Sequence, residues 1–174
     1  MRIISLLFVL ITFNLSSQEI KRVDSEKSFI NYTGKHFLHK WSAENKNISG
    51  LIEIDSESIS NIGIVAKVKD FKSGNSSLDS NSYRVLDALR IPNIVFRSSE
   101  IVDSLDVIKI SGTISFHGIE KDLNVLLDKS TENNTILLAG KFIINLSDFN
   151  IERPSLMLQK INNEIEVQIN LIFN

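Results

Sequence analysis

From Asn47 onward the chain alternates between apolar and polar residues with a period of two. Ile48, Gly50, Ile52 and Ile54 fall on one side and Asn47, Ser49, Glu53 and Asp55 on the other, with a turn over Ser56 to Ser60. Ile62, Ile64, Ala66 and Val68 then form an apolar row opposite Lys67 and Lys69. Farther on, Ile94 and Phe96 oppose Arg97. The clearest hairpin sets Ile108, Ile110, Gly112, Ile114 and Phe116 against Lys109, Ser111, Thr113, Ser115 and His117, turns at Gly118, and returns through Leu123, Val125 and Leu127. After a turn at Glu132 to Asn134 comes the row Ile136, Leu138, Gly140, Phe142, Ile144 and Leu146, then a longer connection, Asp148 to Met157, containing Pro154. The chain closes on Ile165, Val167, Ile169, Leu171 and Phe173. Period-two alternation of this kind belongs to strands with one buried and one wet face. Ser28 to Thr33 and Phe37 to Trp41 read as short strands whose faces the pattern leaves unassigned.

One stretch breaks the alternation. Between Ser73 and Ser98, Leu78, Ser82, Val85, Leu86 and Leu89 recur at helical spacing, with Asp79, Arg84 and Asp87 on the other face. Ser76, three residues before Asp79, suits a capped start. Ile91 precedes Pro92 and is pushed out of the α region, so the helix is expected to stop by Arg90. An amphipathic helix this short is not stable alone and must lay its stripe on the open end of a sheet or barrel.

These elements predict an all-β fold: an antiparallel, up-and-down barrel of about eight strands with one amphipathic helix at its mouth. Four apolar rows carry a small residue near their middle, namely Gly50, Ala66, Gly112 and Gly140. Two readings follow: the small residues leave a mid-height void for one ligand, or they permit bends where the sheet closes.

Composition narrows the function classes. A chain of 174 residues with 43% hydrophobic and 23% charged residues fits one globular domain. A net charge of -2 offers no basic footprint for nucleic acid. Arg2, the apolar run Ile3 to Phe13 and a small-residue exit at Ser16 and Ser17 read as a cleavable signal peptide over residues 1–17. The apolar run is too short to span a bilayer, so residues 18–174 are expected as one domain in the periplasm, without stable membrane insertion. With no cysteine there is no disulfide, lipobox thiol or thiolate metal site, and the fold must hold by core burial.

No residue pattern proposes catalysis. His36 and His39 lie near a strand, where a spacing of three puts side chains on opposite faces, so with His117 they are not expected to bind a metal. Asp148 and Glu152 lack a neighbouring nucleophile and read as a solvated loop in which Asp148 orders its own turn. Tyr83 and Arg84 on the helix are candidates to meet a head group at the mouth, with Arg90 beside them.

Three segments resemble the YceI family of periplasmic lipid-binding barrels: SGNSSLDSNSYRVLDALRIPNIVFRS at Ser73 to Ser98, GTISFHGIEKDLNV at Gly112 to Val125, and Leu146 to Phe173 with its Asp-Phe-x-Ile segment. Glu120 stands where that family often has Thr. The resemblance implies an extended lipocalin-like barrel holding a long-chain isoprenoid or related fatty amphiphile, with no other cofactor. On that reading the apolar tunnel is lined by Gly50, Ile52, Ile64, Ala66, Phe96, Ile110, Gly112, Ile114, Phe116, Leu138, Gly140 and Phe142. It implies a non-enzymatic carrier and leaves a homodimer open. Two competitors share the pattern: a small outer-membrane β-barrel, whose apolar rows would face lipid, and an enzyme acting on a lipid in the same pocket.

Overall fold

The computed structural model describes residues 18–156 and 158–174. The expected signal peptide at residues 1–17 lies outside the described residues. The elements are β1 (Glu19–Arg22), β2 (Phe29–Lys35), β3 (Lys40–Asn45), β4 (Ile48–Asp55), β5 (Ser58–Lys67), α1 (Ser76–Val85), β6 (Asn93–Asp103), β7 (Val107–Phe116), β8 (Ile119–Glu132), β9 (Thr135–Asn145), β10 (Ser155–Leu156), β11 (Gln159–Lys160) and β12 (Glu164–Phe173). Ten strands form one antiparallel sheet in the order β1-β4-β5-β6-β7-β8-β9-β12-β2-β3, and β10 pairs with β11.

The sheet has ten strands where eight were expected, and the reason lies in its first two staves. β1 and β2 run in one direction as a broken stave, and β3 and β4 return as another, since β1 pairs with β4 and β2 with β3. Side chains fill the interrupted ladder. Ser28 Oγ accepts from the Ile172 amide at 2.9 Å, and the buried Asn45 donates through Nδ2 to the Lys67 carbonyl at 3.1 Å and accepts from the Asn47 amide at 2.8 Å. Isolated bridges join Val23 to Phe173 and Glu44 to Lys72, so the sheet curls until its two edges meet.

Three hairpins turn on two residues with positive φ: Ser56-Glu57, His117-Gly118 and Asn133-Asn134. That geometry matches the right-handed twist of the flanking strands. The turns at Ser56-Glu57, Ser104 to Asp106 and Asn133-Asn134 share one end by topology. The β2–β3 turn, α1, the His117-Gly118 turn and the β9–β12 connection share the other.

The apolar rows read from the sequence face inward. At the end away from α1, Ile52, Ile108, Leu138 and Phe173 are fully buried in a cluster with Ile48, Ile62, Leu127 and Leu171. A second cluster at the helix end holds Ile114, Ile144, Leu146, Phe149, Ile151 and Ile165. Outward positions such as Lys109, Asp122 and Asn124 are exposed and polar, where an outer-membrane barrel would carry a continuous apolar belt.

Beyond the first two staves, two neighbouring strand pairs are joined over only part of their length. β5 pairs with β6 only over Gly63–Lys67, below which Ile62 and Ile59 donate instead to Ser98 Oγ at 2.9 Å and Asp103 Oδ2 at 2.8 Å. The same Asp103 forms a buried ion pair with Lys129. β8 pairs with β9 only at Asp128–Glu132, and toward the helix end the two strands diverge.

Asp103 therefore ties three strands together at a site shielded from water. Asp103→Ala leaves both the Lys129 ammonium and the Ile59 amide without their partner. The expected loss is about 3–5 kcal/mol in a urea-unfolding series. Lys46→Ala, which removes an exposed pair with Glu44, is expected to cost under about 1 kcal/mol in the same series.

Candidate ligand-binding site

The helix end of the barrel is hollow. A cavity of about 430 Å³ runs between the two clusters and reaches the surface beside α1. Inward residues of the strands line it: Ile64 and Ala66 from β5, Phe96 from β6, Ile110 and Ile114 from β7, Val125 from β8, Leu138 and Phe142 from β9, and Val167 from β12. Phe96, Leu123, Phe142 and Val167 pack against both clusters and mark the waist.

α1 closes part of the mouth. Its cap is Asn75, whose side chain accepts from the amides of Ser77 and Leu78 at 3.0 and 3.1 Å, one residue earlier than Ser76 was expected to act. Asp79 instead accepts from the Ser73 amide and hydroxyl at 2.9 and 2.6 Å, holding the approach to the helix. Leu78, Ser82, Val85 and Leu86 face the cavity as the stripe predicted. Leu89 does not: Asp87 enters the left-handed region at φ 49°, which ends the helical path and leaves Leu89 exposed.

The remaining mouth residues come from the first two staves. Tyr32, His36, His39 and Trp41 all line the cavity. His36 and His39 are not on opposite faces as strand spacing suggested. They pair across a tight turn, His36 N to His39 O at 2.9 Å, so both rings reach the same side, with centroids 6.0 Å apart. His36 Nε2 donates to the Gln159 carbonyl at 3.2 Å, which fastens this turn to β11. The Trp41 ring lies over Gly34, occupying the place a Cβ would take. Tyr32 Oη lies 3.5 Å from Ser82 Oγ, and burial pushes its phenol up, so the hydroxyl stays protonated and neutral.

Among the described residues the lining contains polar groups but no Lys, Arg, Asp or Glu. An ion without a partner in such a space pays a large desolvation cost. The arrangement suits an aliphatic body whose enclosed polar atoms are uncharged.

Of the residues expected in the tunnel, Ile64, Ala66, Phe96, Ile110, Ile114, Phe116, Leu138 and Phe142 line this cavity, and Gly50, Ile52, Gly112 and Gly140 do not. Ile52 belongs to the solid cluster at the far end. The glycines leave no void of their own, because neighbours already lie against them. A Cβ on Gly50 would stand 2.6 Å from Ile64 Cδ1 and one on Gly140 2.7 Å from Leu127 Cδ2, and at Gly112 it would meet the Arg97 carbonyl and the Phe96 ring. Tyr83 and Arg84 lie outside the lining as well. Tyr83 donates to the Phe71 carbonyl at 2.8 Å and accepts from Lys72 Nζ at 3.0 Å, while Arg84 bonds to Asn81 at 2.6 Å. Sequence reading missed Tyr32, His36 and His39 as cavity residues and left Trp41 between core and rim. The only available signal was the short alternation of Ile30 and Tyr32 with Asn31 and Thr33. His117 sits elsewhere, its Nδ1 3.0 Å from the Phe149 carbonyl, and no cluster suited to a metal ion occurs among the described residues. Asp148 accepts from Asn145 Nδ2 at 3.2 Å within its own turn.

The family model for the YceI-like domain matches residues 22–173. The chain belongs to the YceI-like domain family. Two solved structures share the fold of this YceI-like chain closely. BcnA of Burkholderia cenocepacia has a TM-score of 0.78 at 18% identity, covering 86% of this chain and 98% of its own. A polyisoprenoid binding domain from Saccharophagus degradans, described as implicated in plant cell wall breakdown, has a TM-score of 0.74 at 14% identity, covering 88% and 97%. The YceI protein of Campylobacter jejuni matches at a TM-score of 0.57 and 15% identity, covering 97% and 92%. No curated protein matches the chain.

The packing against the glycines makes a sharp contrast testable. Gly112→Ala is expected to lose about 1–3 kcal/mol through overpacking against backbone. Gly63→Ala, where nothing lies within 4 Å, should stay within about 0.5 kcal/mol. Thermal unfolding of the two variants compares them directly.

Proposed function

We propose that this YceI-like protein is a non-enzymatic periplasmic carrier of a long-chain isoprenoid or related aliphatic lipid. The observation that carries this reading is the apolar cavity itself. The cavity of about 430 Å³ presents an almost wholly apolar lining to whatever enters through the mouth, and an aliphatic chain laid against it leaves water. Each CH₂ buried there contributes about 0.8 kcal/mol. The polyisoprenoid binding described for the Saccharophagus degradans relative agrees with such an occupant. That no Lys, Arg, Asp or Glu among the described residues lines the cavity favours a ligand whose enclosed part is neutral. Residues 1–17, as a cleaved signal peptide, would place residues 18–174 in the periplasm.

Native mass spectrometry of the purified protein tests this, followed by denaturing extraction and mass analysis of the released lipid. Discrete adducts with isoprene-spaced masses are expected, either as purified or after polyprenols are offered. Val167→Trp, which narrows the waist, should fold normally by circular dichroism and lower the lipid-bound fraction at least tenfold. A bare protein mass after polyprenols are offered would overturn the proposal. Release of the protein by osmotic shock is the expected result for its compartment.

A further inference from the structure

The mouth of the cavity is ringed by apolar side chains that point into solvent. Phe37 and Leu38 form the tip of the β2–β3 turn, Leu89 stands on the turn after α1, and Leu158 tops the β10–β11 turn, each more than half exposed. Two of these tips are mechanically joined. Asn162 N donates to the Lys35 carbonyl at 2.9 Å, and His36 Nε2 to the Gln159 carbonyl at 3.2 Å, so the β2–β3 turn and the β10–β11 hairpin advance as one unit. Leu89 stands on the turn that directly follows the cavity-lining Val85 and Leu86.

The charges beside these tips have one dominant sign. Within three residues of the four apolar side chains stand Lys35, Lys40, Arg90 and Lys160, and one acid, Asp87. Asp87 is already bonded to Arg90 at 2.5 Å. Lys35, Lys40 and Lys160 make no ion pair among the described residues. The opposite end supplies the contrast. Leu105 is equally prominent there, at 87% exposure, but it stands beside Asp106 with no lysine or arginine within three residues. An anionic surface would therefore favour these apolar tips over Leu105, although the whole chain carries a net charge of -2.

We propose that the mouth of the barrel docks on an anionic lipid bilayer, with Phe37, Leu38, Leu89 and Leu158 entering the interface and Lys35, Lys40 and Lys160 meeting the head groups. Docked this way, the cavity opens directly onto the membrane. An aliphatic chain then passes between bilayer and barrel without crossing water, which is the costly step for a long apolar molecule. Interfacial binding of this kind needs both apolar insertion and electrostatic attraction, because either alone is weak and reversible. The docking surface gains its purpose from the lipid-carriage reading, and the measurements separate the two.

Flotation of the purified protein with vesicles is the test, using phosphatidylcholine alone and phosphatidylcholine mixed with phosphatidylglycerol. Wild-type protein is expected to bind the mixed vesicles at least tenfold better than the neutral ones, and to lose most of that preference in high salt. The Phe37→Ser, Leu38→Ser, Leu158→Ser triple variant should bind the mixed vesicles at least tenfold more weakly, while Leu105→Ser binds as wild type. Native mass spectrometry of the triple variant, loaded with polyprenol from detergent, is expected to show normal lipid content and so an intact fold and cavity. Wild-type protein that ignores the mixed vesicles, or a triple variant that binds them undiminished, overturns docking while detergent loading still supports carriage. Self-association in solution that the triple substitution abolishes overturns it as well, by assigning the patch to a second copy of the chain. Vesicle binding with no polyprenol uptake leaves docking standing and removes carriage.

Discussion

The structure depends on one constraint: an antiparallel sheet with a single apolar face has to wrap around itself, and what fills the enclosed space decides what the protein can hold. At the end away from α1, branched residues from nearly every stave meet, and Ile52, Ile108, Leu138 and Phe173 leave no access to solvent. At the helix end the same rows are set farther apart, and the space between them persists as the cavity. Solid floor and hollow upper half are built from one alternating pattern. The difference between them is stave separation, which follows from where the ladder is interrupted and where β8 and β9 diverge.

Those interruptions are chemically managed rather than left open. Ser28, Asn45, Ser98 and Asp103 each present a side-chain group to a backbone amide or carbonyl that the ladder fails to reach. Each substitution satisfies a polar group that would otherwise be costly to bury. It also lets the strands bend away from one another without exposing an edge. The divergence of β8 from β9 is not bridged in this way along its length. A short turn at Leu146–Phe149 lies over it instead, held by the contact between His117 and the Phe149 carbonyl. Segments held by few backbone bonds open at lower free energy than ladders do, so this flank and the mouth are where the barrel has room to admit a guest.

The two ends of the chemistry are sorted by dielectric. Neutral groups such as the hydroxyls of Tyr32 and Ser82 look into the cavity, where a charge would be expensive. The lysines of the β2–β3 turn and the β10–β11 hairpin stay in water at the rim, where their charge acts over several ångströms on whatever approaches. The interior is therefore left to apolar and neutral groups, and the charge is kept at the rim.

Alternation of apolar and polar residues by itself determined the strands β4 to β9 and β12, their inward faces, the hairpin turns and the presence of one helix, because a period of two or of 3.6 is set by local backbone geometry. It also carried most of the cavity lining, since Ile64, Ile110, Ile114, Leu138 and Phe142 belong to rows that had to face inward. Tertiary structure alone decided the rest. The mid-row glycines looked like a void in one dimension, but in three the side chains of Ile64, Phe96 and Leu127 lie across them. The first two staves were too short and too broken to declare their faces, so Tyr32, His36 and His39 were invisible as mouth residues until β2 was placed against β12. Pairing between segments more than a hundred residues apart decides where the barrel is full and where it is hollow, and no local pattern encodes that distance.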